Sequence, residues 1–364
     1  MRDDPTIASV RARAFTVPTD APEADGTLAW DRTTIVLVHV EAGGETGMGY
    51  SYTDASVAGL IGKTLAARIE GLSALDIPRT NAVLRGAVRN LGRSGLAANA
   101  ISAIDTALWD LKAKLLGLPL AHLFGQVRDS AAIYGSGGFT SYDDRQLREQ
   151  LSRWIELDGC DAVKMKVGSE PARDPARMAA AKQAVGDATL FIDANGAFTP
   201  KNAIAFAECA AAYGVAWFEE PVTSDDPVGL ALVRARAPAT MEIAAGEYVY
   251  TLDDMHGFLA VGALDVAQAD VTRCGGYTGF LKIAALCEAV HLDLSGHCAP
   301  ALHLPAVVAA PRFRHLEWFH DHVRIEAMFF DGAPVARDGA IKPDLSRLGH
   351  GLLLKAQDAD AYAV

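Results

Sequence analysis

Three acidic residues follow short apolar segments at a regular spacing in the second half of the chain. About the length of one strand and one helix separates Asp193 from Glu219, and Glu219 from Glu247. If the ends of these segments meet, the three carboxylates share a pocket and raise one another's pKa. A divalent cation would relieve this repulsion, and all-oxygen ligands favour Mg²⁺ or Mn²⁺ over Zn²⁺. Considered one at a time, Asp193 could shape a turn and Glu219 could cap a helix. Three carboxylates at the same end of neighbouring segments favour a metal site instead.

Two lysines precede this predicted metal site. Lys164 and Lys166 are two residues apart in an apolar strand, so both side chains point to the same side. Two ammonium groups held together lower each other's pKa, and Lys166, nearest the strand end, would then act as a base. A pair of solvated lysines is the alternative, but Met165 and Val167 need burial on the opposite face.

A histidine and two further carboxylates end the last three apolar segments. His297 follows Leu292 and Leu294, Asp270 ends the segment before it, and Glu317 lies near the end of the segment after it. A carboxylate that hydrogen-bonds an imidazole fixes its tautomer and raises its basicity. We therefore expect His297 to be a second acid/base group oriented by Asp270, although an isolated histidine is more often structural.

The last seven of eight apolar segments carry these residues at or near their carboxyl ends. They are short, and the stretches between them are long enough for helices, one of which is predicted to begin at Thr199-Pro200. Strands covered on both faces are typical of a closed parallel barrel, whose active site lies at the strand ends. An open doubly wound sheet is the alternative, but its Gly-rich phosphate turn is missing. The predicted strands are AAIYG, DAVKMKV, TLFIDA, VAWFEEP, MEIAAGE, LDVAQAD, HLDLSGH and RHLEWF.

The first third of the chain has a different pattern. Residues 6–17 and 33–42 predict two strands joined by a long polar loop, and the Gly-rich GGETGMG sequence near Gly43 predicts another loop. Between residues 98 and 115 the apolar residues recur at helical spacing, and a following Gly-Leu-Pro sequence predicts the helix end. These elements indicate a small α+β unit.

The tail and two early loops are expected to complete this unit around the barrel. The sequence after Arg324 predicts a hairpin, around Asp331-Gly332 or Asp338-Gly339, that returns to pack on the first domain. Loops around residues 19–30 and 44–52 are expected to cover the site, and most of their side chains are polar.

Taken together, these residues resemble the mandelate racemase subgroup of the enolase superfamily. The resemblance implies an α/β fold, with a modified TIM barrel, (β/α)7β, formed by residues 126–324. An α+β capping domain would comprise residues 1–125 and be completed by the tail, residues 325–364. The matching motifs occur in order along essentially the whole chain: Lys-Met-Lys, Asp-Ala-Asn-Gly, Glu-Glu-Pro, Gly-Glu, the Asp270/His297 pair and Glu317.

The resemblance also implies a metal cofactor, Mg²⁺, bound by Asp193, Glu219 and Glu247, with Asn195 as a polar neighbour. Removing the proton α to a carboxylate places negative charge on adjacent oxygens, which water stabilises poorly. A metal ion bound to that carboxylate stabilises the charge as a Lewis acid.

The remaining residues would move protons and hold the substrate. By resemblance, Lys166 and the His297–Asp270 dyad act as acid/base groups on opposite faces of the substrate. Lys164 would lower the pKa of Lys166 and contact the substrate carboxylate, and Glu317, when protonated, would donate a hydrogen bond to that carboxylate. Each positioned acid/base group accelerates a reaction by about 10²–10⁴-fold.

Two reactions can follow from the same deprotonated substrate. Return of a proton to the α carbon makes a racemase or epimerase of a 2-hydroxy acid, whereas protonation of a departing β-hydroxyl gives a 2-keto-3-deoxy acid. The polar loops favour the second reaction, by a dehydratase of an acid sugar such as an aldonate or aldarate.

A muconate-type cycloisomerase is disfavoured because such relatives generally carry a lysine instead of the His-Asp pair. A non-catalytic metal-binding subunit has no support, because every expected catalytic position is filled.

Composition excludes other classes of protein. The 364 residues are 50% hydrophobic, as in globular proteins, and the net charge of −12 disfavours nucleic acid as a partner. No apolar stretch is long enough to span a membrane, and the first 15 residues lack the pattern of a secretory signal. Five scattered cysteines indicate reduced thiols. We therefore expect a cytoplasmic enzyme acting on a small carboxylate, and the resemblance suggests a homo-oligomer.

Two further groups of residues are interpreted as structural. His315, His320 and His322 surround the last strand but lack companion ligands for a second metal. Cys298 follows His297 directly. Because adjacent residues of a strand point to opposite sides, we expect the Cys298 thiol to pack away from the site.

Overall fold

An antiparallel sheet of three strands begins the chain, which a computed structural model describes from residue 4 to residue 364. Residues 1–3, the start of the predicted capping domain, lie outside this range. Alternation in the second strand buries both faces: Val36, Val38 and Val40 pack among helices, whereas Ile35 and Leu37 belong to the cluster that includes the barrel. The strands are β1 (Ile7–Ala24), β2 (Ala29–Ala42) and β3 (Glu45–Tyr52).

Most of the Gly-rich sequence forms strand β3, so the loop predicted there is wrong beyond Gly43 and Gly44, which form the turn between β2 and β3. A Cβ on Gly47 or Gly49 would collide with backbone at Ala107 in the helix below, so glycine allows this strand to lie directly on that helix. The long polar loop predicted before it is also largely wrong. Strands β1 and β2 extend through most of it, with a register irregularity between Pro18 and Glu23.

Five helices and a π-helical turn follow the first sheet. The helix predicted from its apolar spacing is confirmed: Ile101, Ile104, Leu108 and Leu111 are buried, and the left-handed Gly117 ends the helix. Within residues 4–364, no helix is both long and apolar enough to cross a membrane. The elements are α1 (Ser56–Leu60), the turn (Ile61–Leu65), α2 (Ala66–Ile69), α3 (Ile77–Ala87), α4 (Leu96–Leu116) and α5 (Leu120–Phe124).

Eight parallel strands close into a barrel, and they confirm all eight strands predicted from the sequence. Each strand pairs with the next, and the last pairs with the first. Large side chains such as Tyr134, Phe191 and Trp217 form one buried cluster within the strands. The strands are β4 (Ala131–Gly137), β5 (Ala162–Lys166), β6 (Thr189–Asp193), β7 (Val215–Glu219), β8 (Glu242–Ala245), β9 (Val266–Ala269), β10 (Asp293–Gly296) and β11 (Phe313–Phe319).

Seven helices connect the eight strands, which gives the (β/α)7β order predicted for the chain. The predicted start at Thr199-Pro200 is confirmed, because the Thr199 hydroxyl accepts a hydrogen bond from the Asn202 amide. The helices are α6 (Asp144–Glu156), α7 (Asp174–Val185), α8 (Pro200–Ala211), α9 (Pro227–Arg236), α10 (Leu252–Val261), α11 (Gly276–Ala289) and α12 (Pro300–Val307).

The tail returns to the first sheet, as predicted, but not as a simple hairpin. The Tyr362 carbonyl accepts from the Thr16 amide at 2.8 Å, and the Val364 amide donates to Ala14. A tight turn does form at Asp338-Gly339, yet the strand after it pairs with β4 of the barrel. The tail contains α13 (His320–Phe329), β12 (Phe330–Asp331), β13 (Ala340–Ile341), β14 (Leu353–Leu354), which pairs with β12, and α14 (Ala356–Asp360).

Candidate active site

Three neighbouring barrel strands bring the predicted metal ligands together. Asp193 and Glu219 end β6 and β7 as paired residues, and Glu247 follows β8. Ligand oxygens of these three residues, here called the acidic trio, all lie within 4.8 Å of one another, and all three side chains are buried. Gly246 has a φ of +135° and lies so close to Gln268 that a Cβ would collide, so glycine is required before Glu247.

The acidic trio has the donor set of a hard cation. Glu219 Oε1 is buried without a hydrogen-bond partner, which leaves an oxygen for a ligand. Burial, followed by the charge of Asp193, raises the pKa of Glu219 to about 8. A cation would relieve both penalties, and three carboxylates without sulfur or nitrogen donors suit Mg²⁺.

Two lysines contact one side of the acidic trio, and this side of the site is here called the amine edge. Lys164 Nζ lies 2.6 Å from Glu219 Oε2, 2.8 Å from Glu317 Oε1 and 3.4 Å from Asp193 Oδ2. Lys166 Nζ donates to Asp193 Oδ2 at 2.6 Å and to Asn195 Oδ1 at 3.0 Å. The side chains point to the same side, as predicted from their spacing.

The net direction expected for the pKa of the lysines is wrong, although the charge of Lys164 does act to lower the pKa of Lys166. The sequence suggested that each ammonium group lowers the pKa of the other. Burial is the largest single effect and opposes the charge of Lys166, but the carboxylates around it, with Asp193 first, together outweigh burial and raise the pKa of Lys166 above its ordinary value. Lys164 shows the same direction, because Glu219 and Glu317 outweigh its burial. These partners come from other strands, which spacing within β5 cannot reveal.

The other side of the acidic trio, here called the imidazole edge, carries His297 and Asp270. His297 Nδ1 and Asp270 Oδ2 are 2.8 Å apart, so the predicted pairing forms. The Thr272 amide donates to the second Asp270 oxygen at 2.6 Å and fixes the carboxylate. His297 Nε2 points toward the trio, 3.3 Å from Glu247 Oε2. The imidazole is therefore held from behind at Nδ1, and its other nitrogen, Nε2, faces the site.

Glu317 connects the two edges. Its Oε1 accepts from Ser136 Oγ at 2.5 Å and pairs with Lys164, whereas its Oε2 accepts from the Cys298 amide at 3.1 Å. Burial favours the protonated acid, but Lys164 and then His297 outweigh it and lower the pKa of Glu317. The protonated donor expected from the sequence is therefore not the form favoured here.

Cys298 corrects a second sequence interpretation. Its sulfur lies 3.3 Å from His297 Nε2 and 3.3 Å from Glu317 Oε2, so the thiol faces the site instead of packing away from it. Alternation fails because β10 ends at Gly296 and the next residues leave the strand. Cys298 and Ala299 have φ values of +52° and +38°.

A turn of the first sheet lies against the amine edge. In residues 24–28, here called the cap turn, a Cβ on Gly26 would collide with the carbonyl oxygens of Ala194 and Val167. Thr27 Oγ1 donates to the Asn195 carbonyl at 3.4 Å. The segment around residues 19–30 therefore reaches the site as expected, although only its turn is a loop and the rest is strand.

The second expected loop, around residues 44–52, is strand β3 and holds the barrel from the side. Tyr50 donates to Glu326 at 2.6 Å, and the Tyr52 ring stacks on His322 with centroids 3.4 Å apart. Ser51 Oγ donates to the Thr272 carbonyl at 2.7 Å, next to the Asp270 loop. The side chains of Tyr50, Ser51 and Tyr52 therefore hold β3 against the barrel.

Sequence reasoning missed two residues of the site. Ser136 follows directly after the predicted first barrel strand, and its place at a strand end was the only signal. Glu220 is buried with one unpartnered oxygen, and burial followed by Glu247 raises its pKa. Its φ of +38° marks the sharp exit from β7, which the Glu-Glu-Pro motif does not reveal by itself.

The sequence is similar to known families and proteins over its whole length. Residues 9–125 match the mandelate racemase / muconate lactonizing enzyme N-terminal domain, and residues 146–359 match the enolase C-terminal domain-like family. The chain is 33% identical to 3,6-anhydro-alpha-L-galactonate cycloisomerase of Streptomyces coelicolor, over 98% of this chain and 99% of the relative. It is 35% identical to L-talarate/galactarate dehydratase of Salmonella typhimurium, over 76% of this chain and 71% of the relative.

Solved structures agree with these sequence matches. A mandelate racemase/muconate lactonizing enzyme-like protein from Rubrobacter xylanophilus aligns with a TM-score of 0.96 and 48% identity, over 99% of this chain and all of that one. The Salmonella dehydratase, liganded with Mg and L-lyxarohydroxamate, aligns with a TM-score of 0.91 and 29% identity, over 100% and 94%. The similarity therefore confirms both the barrel and the sheet that covers it.

Proposed function

The chain belongs to the mandelate racemase/muconate lactonizing enzyme family of the enolase superfamily, and we propose that it is a magnesium-dependent dehydratase of an acid sugar. The proposed reaction removes the proton α to a carboxylate and eliminates the β-hydroxyl as water. The product is a 2-keto-3-deoxy acid. The observation that carries this proposal is the acidic trio with a possible proton-transfer group on each side: the Lys166 amine and the His297 imidazole.

The acidic trio would hold the metal cofactor. Asp193, Glu219 and Glu247 supply only oxygen donors in a buried cluster, and Glu219 keeps one oxygen without a partner. When bound there, Mg²⁺ supplies Lewis-acid stabilisation to a substrate carboxylate. Magnesium is present in the structure of the Salmonella relative, which supports the same ion here.

The two edges would carry the proton transfers. One group removes the α proton, and the other, in its protonated form, gives a proton to the departing β-hydroxyl. The Asp270 carboxylate at Nδ1 stabilises the protonated imidazole of His297 and keeps Nε2 directed to the site. Pairing with Asp193 raises the pKa of Lys166 and favours its protonated form. Once the Asp193 carboxylate binds a metal ion instead, Lys166 loses this partner and can act as a base.

Lys164, Glu317 and Asn195 would hold the substrate carboxylate and the groups around it. Lys164 already pairs with Glu219 and Glu317, so it would bind a substrate carboxylate once a cation neutralises the acidic trio. A substrate carboxylate next to Glu317 would raise the pKa of Glu317 by like-charge repulsion and favour the protonated donor. Asn195 accepts from Lys166 and would orient that amine.

The relatives support an acid sugar as the substrate class. The Salmonella relative is named for the dehydration of two acid sugars, and other relatives are named as gluconate and rhamnonate dehydratases. A second candidate function is an acid-sugar cycloisomerase, because the Streptomyces relative with that name matches this chain from end to end. A racemase or epimerase of a 2-hydroxy acid would use the same residues.

A substrate screen tests the proposal. The purified protein with Mg²⁺ is incubated with aldonates and aldarates, and formation of 2-keto-3-deoxy acids is measured alongside exchange of the α proton in D₂O. We expect keto-acid formation from at least one acid sugar. Exchange with inversion but no keto product would instead indicate a racemase, and isomerisation of a lactone or anhydro sugar would indicate a cycloisomerase. No reaction despite bound Mg²⁺ would indicate a non-catalytic subunit.

A further inference from the structure

A second set of metal-ligating atoms lies beside the acidic trio. His297 Nε2, Cys298 Sγ and Glu317 Oε2 form a triangle in which the sulfur is 3.3 Å from each of the other atoms and Nε2 is 3.5 Å from Oε2. All three residues are buried. The proposed reaction uses the imidazole and the carboxylate but leaves the thiol without a role. We propose that this triangle, here called the thiol triangle, binds one Zn²⁺ ion and that the ion inhibits the enzyme.

The size of the thiol triangle agrees with tetrahedral zinc. Zinc lies about 2.3 Å from sulfur and about 2.0–2.1 Å from nitrogen or oxygen. At tetrahedral angles these bond lengths separate sulfur from nitrogen or oxygen by about 3.6 Å, and nitrogen from oxygen by about 3.4 Å. The corresponding distances here are 3.3, 3.3 and 3.5 Å. Shifts of a few tenths of an ångström would complete three corners of a tetrahedron.

Neighbouring residues already orient two of the three ligands. The Asp270 carboxylate binds His297 Nδ1 at 2.8 Å, and such a carboxylate–histidine pair is the usual support of a zinc-bound imidazole. Lys164 and Ser136 occupy Glu317 Oε1, which leaves Oε2 to the triangle. The left-handed backbone of Cys298 turns its sulfur inward.

The thiol triangle and the acidic trio offer different donor atoms and therefore prefer different metal ions. Thiolate and imidazole select Zn²⁺, whereas three carboxylates select Mg²⁺. Binding forms bonds from zinc to the Cys298 sulfur and to His297 Nε2, and the thiol proton, together with the Nε2 proton when the imidazole is protonated, goes to solvent without any transfer of electrons.

Zinc at this position would occupy the His297 nitrogen that faces the site. An imidazole whose Nε2 binds a metal has no lone pair there to accept a proton. Inhibition therefore rests on the proposed catalytic role of His297, whereas binding at the thiol triangle does not. A binding experiment without substrate separates the two.

Cobalt provides that experiment, because Co²⁺ accepts zinc ligands and a cobalt–thiolate bond absorbs strongly in the near ultraviolet. The folded protein, saturated with Mg²⁺, is titrated with Co²⁺, and Zn²⁺ is then added to displace it. We expect a thiolate-to-cobalt band that Zn²⁺ removes. The band should be lost in Cys298→Ser and kept in the control Cys209→Ser, whose sulfur lies on helix α8 away from the site.

Two further results decide the proposal. X-ray absorption of the zinc-loaded native protein should show one sulfur at about 2.3 Å, which needs no variant and remains decisive if Cys298→Ser does not fold. If turnover is found, the zinc concentration for half inhibition should rise at least about tenfold in Cys298→Ser, since loss of even an orienting partner weakens metal binding by that much. No band in the native protein, a band that persists in Cys298→Ser, or zinc with only nitrogen and oxygen neighbours would overturn the proposal.

Discussion

The two edges of the site hold their acid/base groups in different ways. On the amine edge, Lys166 pairs directly with Asp193, a member of the acidic trio, at 2.6 Å. On the imidazole edge, His297 pairs with Asp270, which lies outside the trio, and only approaches Glu247 at 3.3 Å. The protonation of the amine therefore depends on what occupies the trio, whereas the orientation of the imidazole has an independent support. The predictions below test this difference.

The largest effects are expected from removing the two acid/base groups. Lys166→Ala and His297→Asn should each lower turnover by about 10²–10⁴-fold, because each removes a positioned proton-transfer group. Neither change removes a carboxylate of the trio, so Mg²⁺ affinity measured by calorimetry should not fall. It should change little in His297→Asn and rise in Lys166→Ala, which frees Asp193 from its ammonium partner. Full activity in either variant would contradict the assignment of that edge, and loss of folding, checked by circular dichroism, would indicate a structural role.

Asp270→Asn should have a smaller effect that is confined to the imidazole edge. The amide can present its NH₂ group to His297 Nδ1, which favours the wrong tautomer. We expect turnover to fall by about 10²-fold, the lower end of the range for a positioned acid/base group, with Mg²⁺ affinity unchanged. Both kcat and Mg²⁺ affinity are measured for the native protein and for the variant. A fall in Mg²⁺ affinity equal to that in kcat would mean that the imidazole edge is not independent of the acidic trio.

Gly26→Ala should disturb the amine edge through the cap turn that lies against it. The new methyl group would collide with the carbonyl oxygens of Ala194 and Val167, so the cap turn must move away from the strand ends. Overpacking of this kind costs about 1–3 kcal/mol, measured as the free energy of unfolding in urea. Gly59→Ala is the matched control, because a Cβ there has open space in helix α1. Equal stabilities for the two variants would show that the cap turn tolerates the displacement.

The smallest effect concerns the support behind the imidazole edge. Glu326 accepts from Tyr50 at 2.6 Å and from the Ala301 amide of helix α12 at 3.0 Å, and burial raises its pKa from 4.5 to about 8. Between these values the folded protein binds more protons than the unfolded chain, so this group makes the free energy of unfolding fall as pH rises.

Glu326→Gln removes this titration and should flatten that part of the pH profile. Relative to the native protein, the variant should therefore gain stability as pH rises from about 5 to about 9. Urea unfolding of both proteins across this range measures the difference. Parallel profiles would mean that Glu326 does not retain its proton in the folded protein.

The barrel strands and most residues of the site could be predicted from the sequence, because both follow from local patterns. Apolar runs gave the eight strands, and the spacing of Asp193, Glu219 and Glu247 placed them on neighbouring strand ends. The protonation of Lys166 could not be predicted in this way. Its partner Asp193 lies on another strand, so its pKa depends on a contact that exists only after the barrel closes.

Departures from regular backbone caused the remaining errors. Alternation along β10 predicts that Cys298 faces away, but two left-handed residues reverse its direction. In β3, Gly47 and Gly49 indicate a loop by composition, whereas their missing side chains allow a strand to lie on helix α4. In both cases the decisive contact is between segments far apart in the chain.

The most direct test is a crystal structure of Lys166→Ala with Mg²⁺ and an acid sugar identified in the screen. The account predicts one ion bound by carboxylate oxygens of Asp193, Glu219 and Glu247 at about 2.0–2.1 Å, with the α carbon of the sugar between residue 166 and His297. An ion bound elsewhere, or a sugar whose α carbon lies away from both edges, would contradict it.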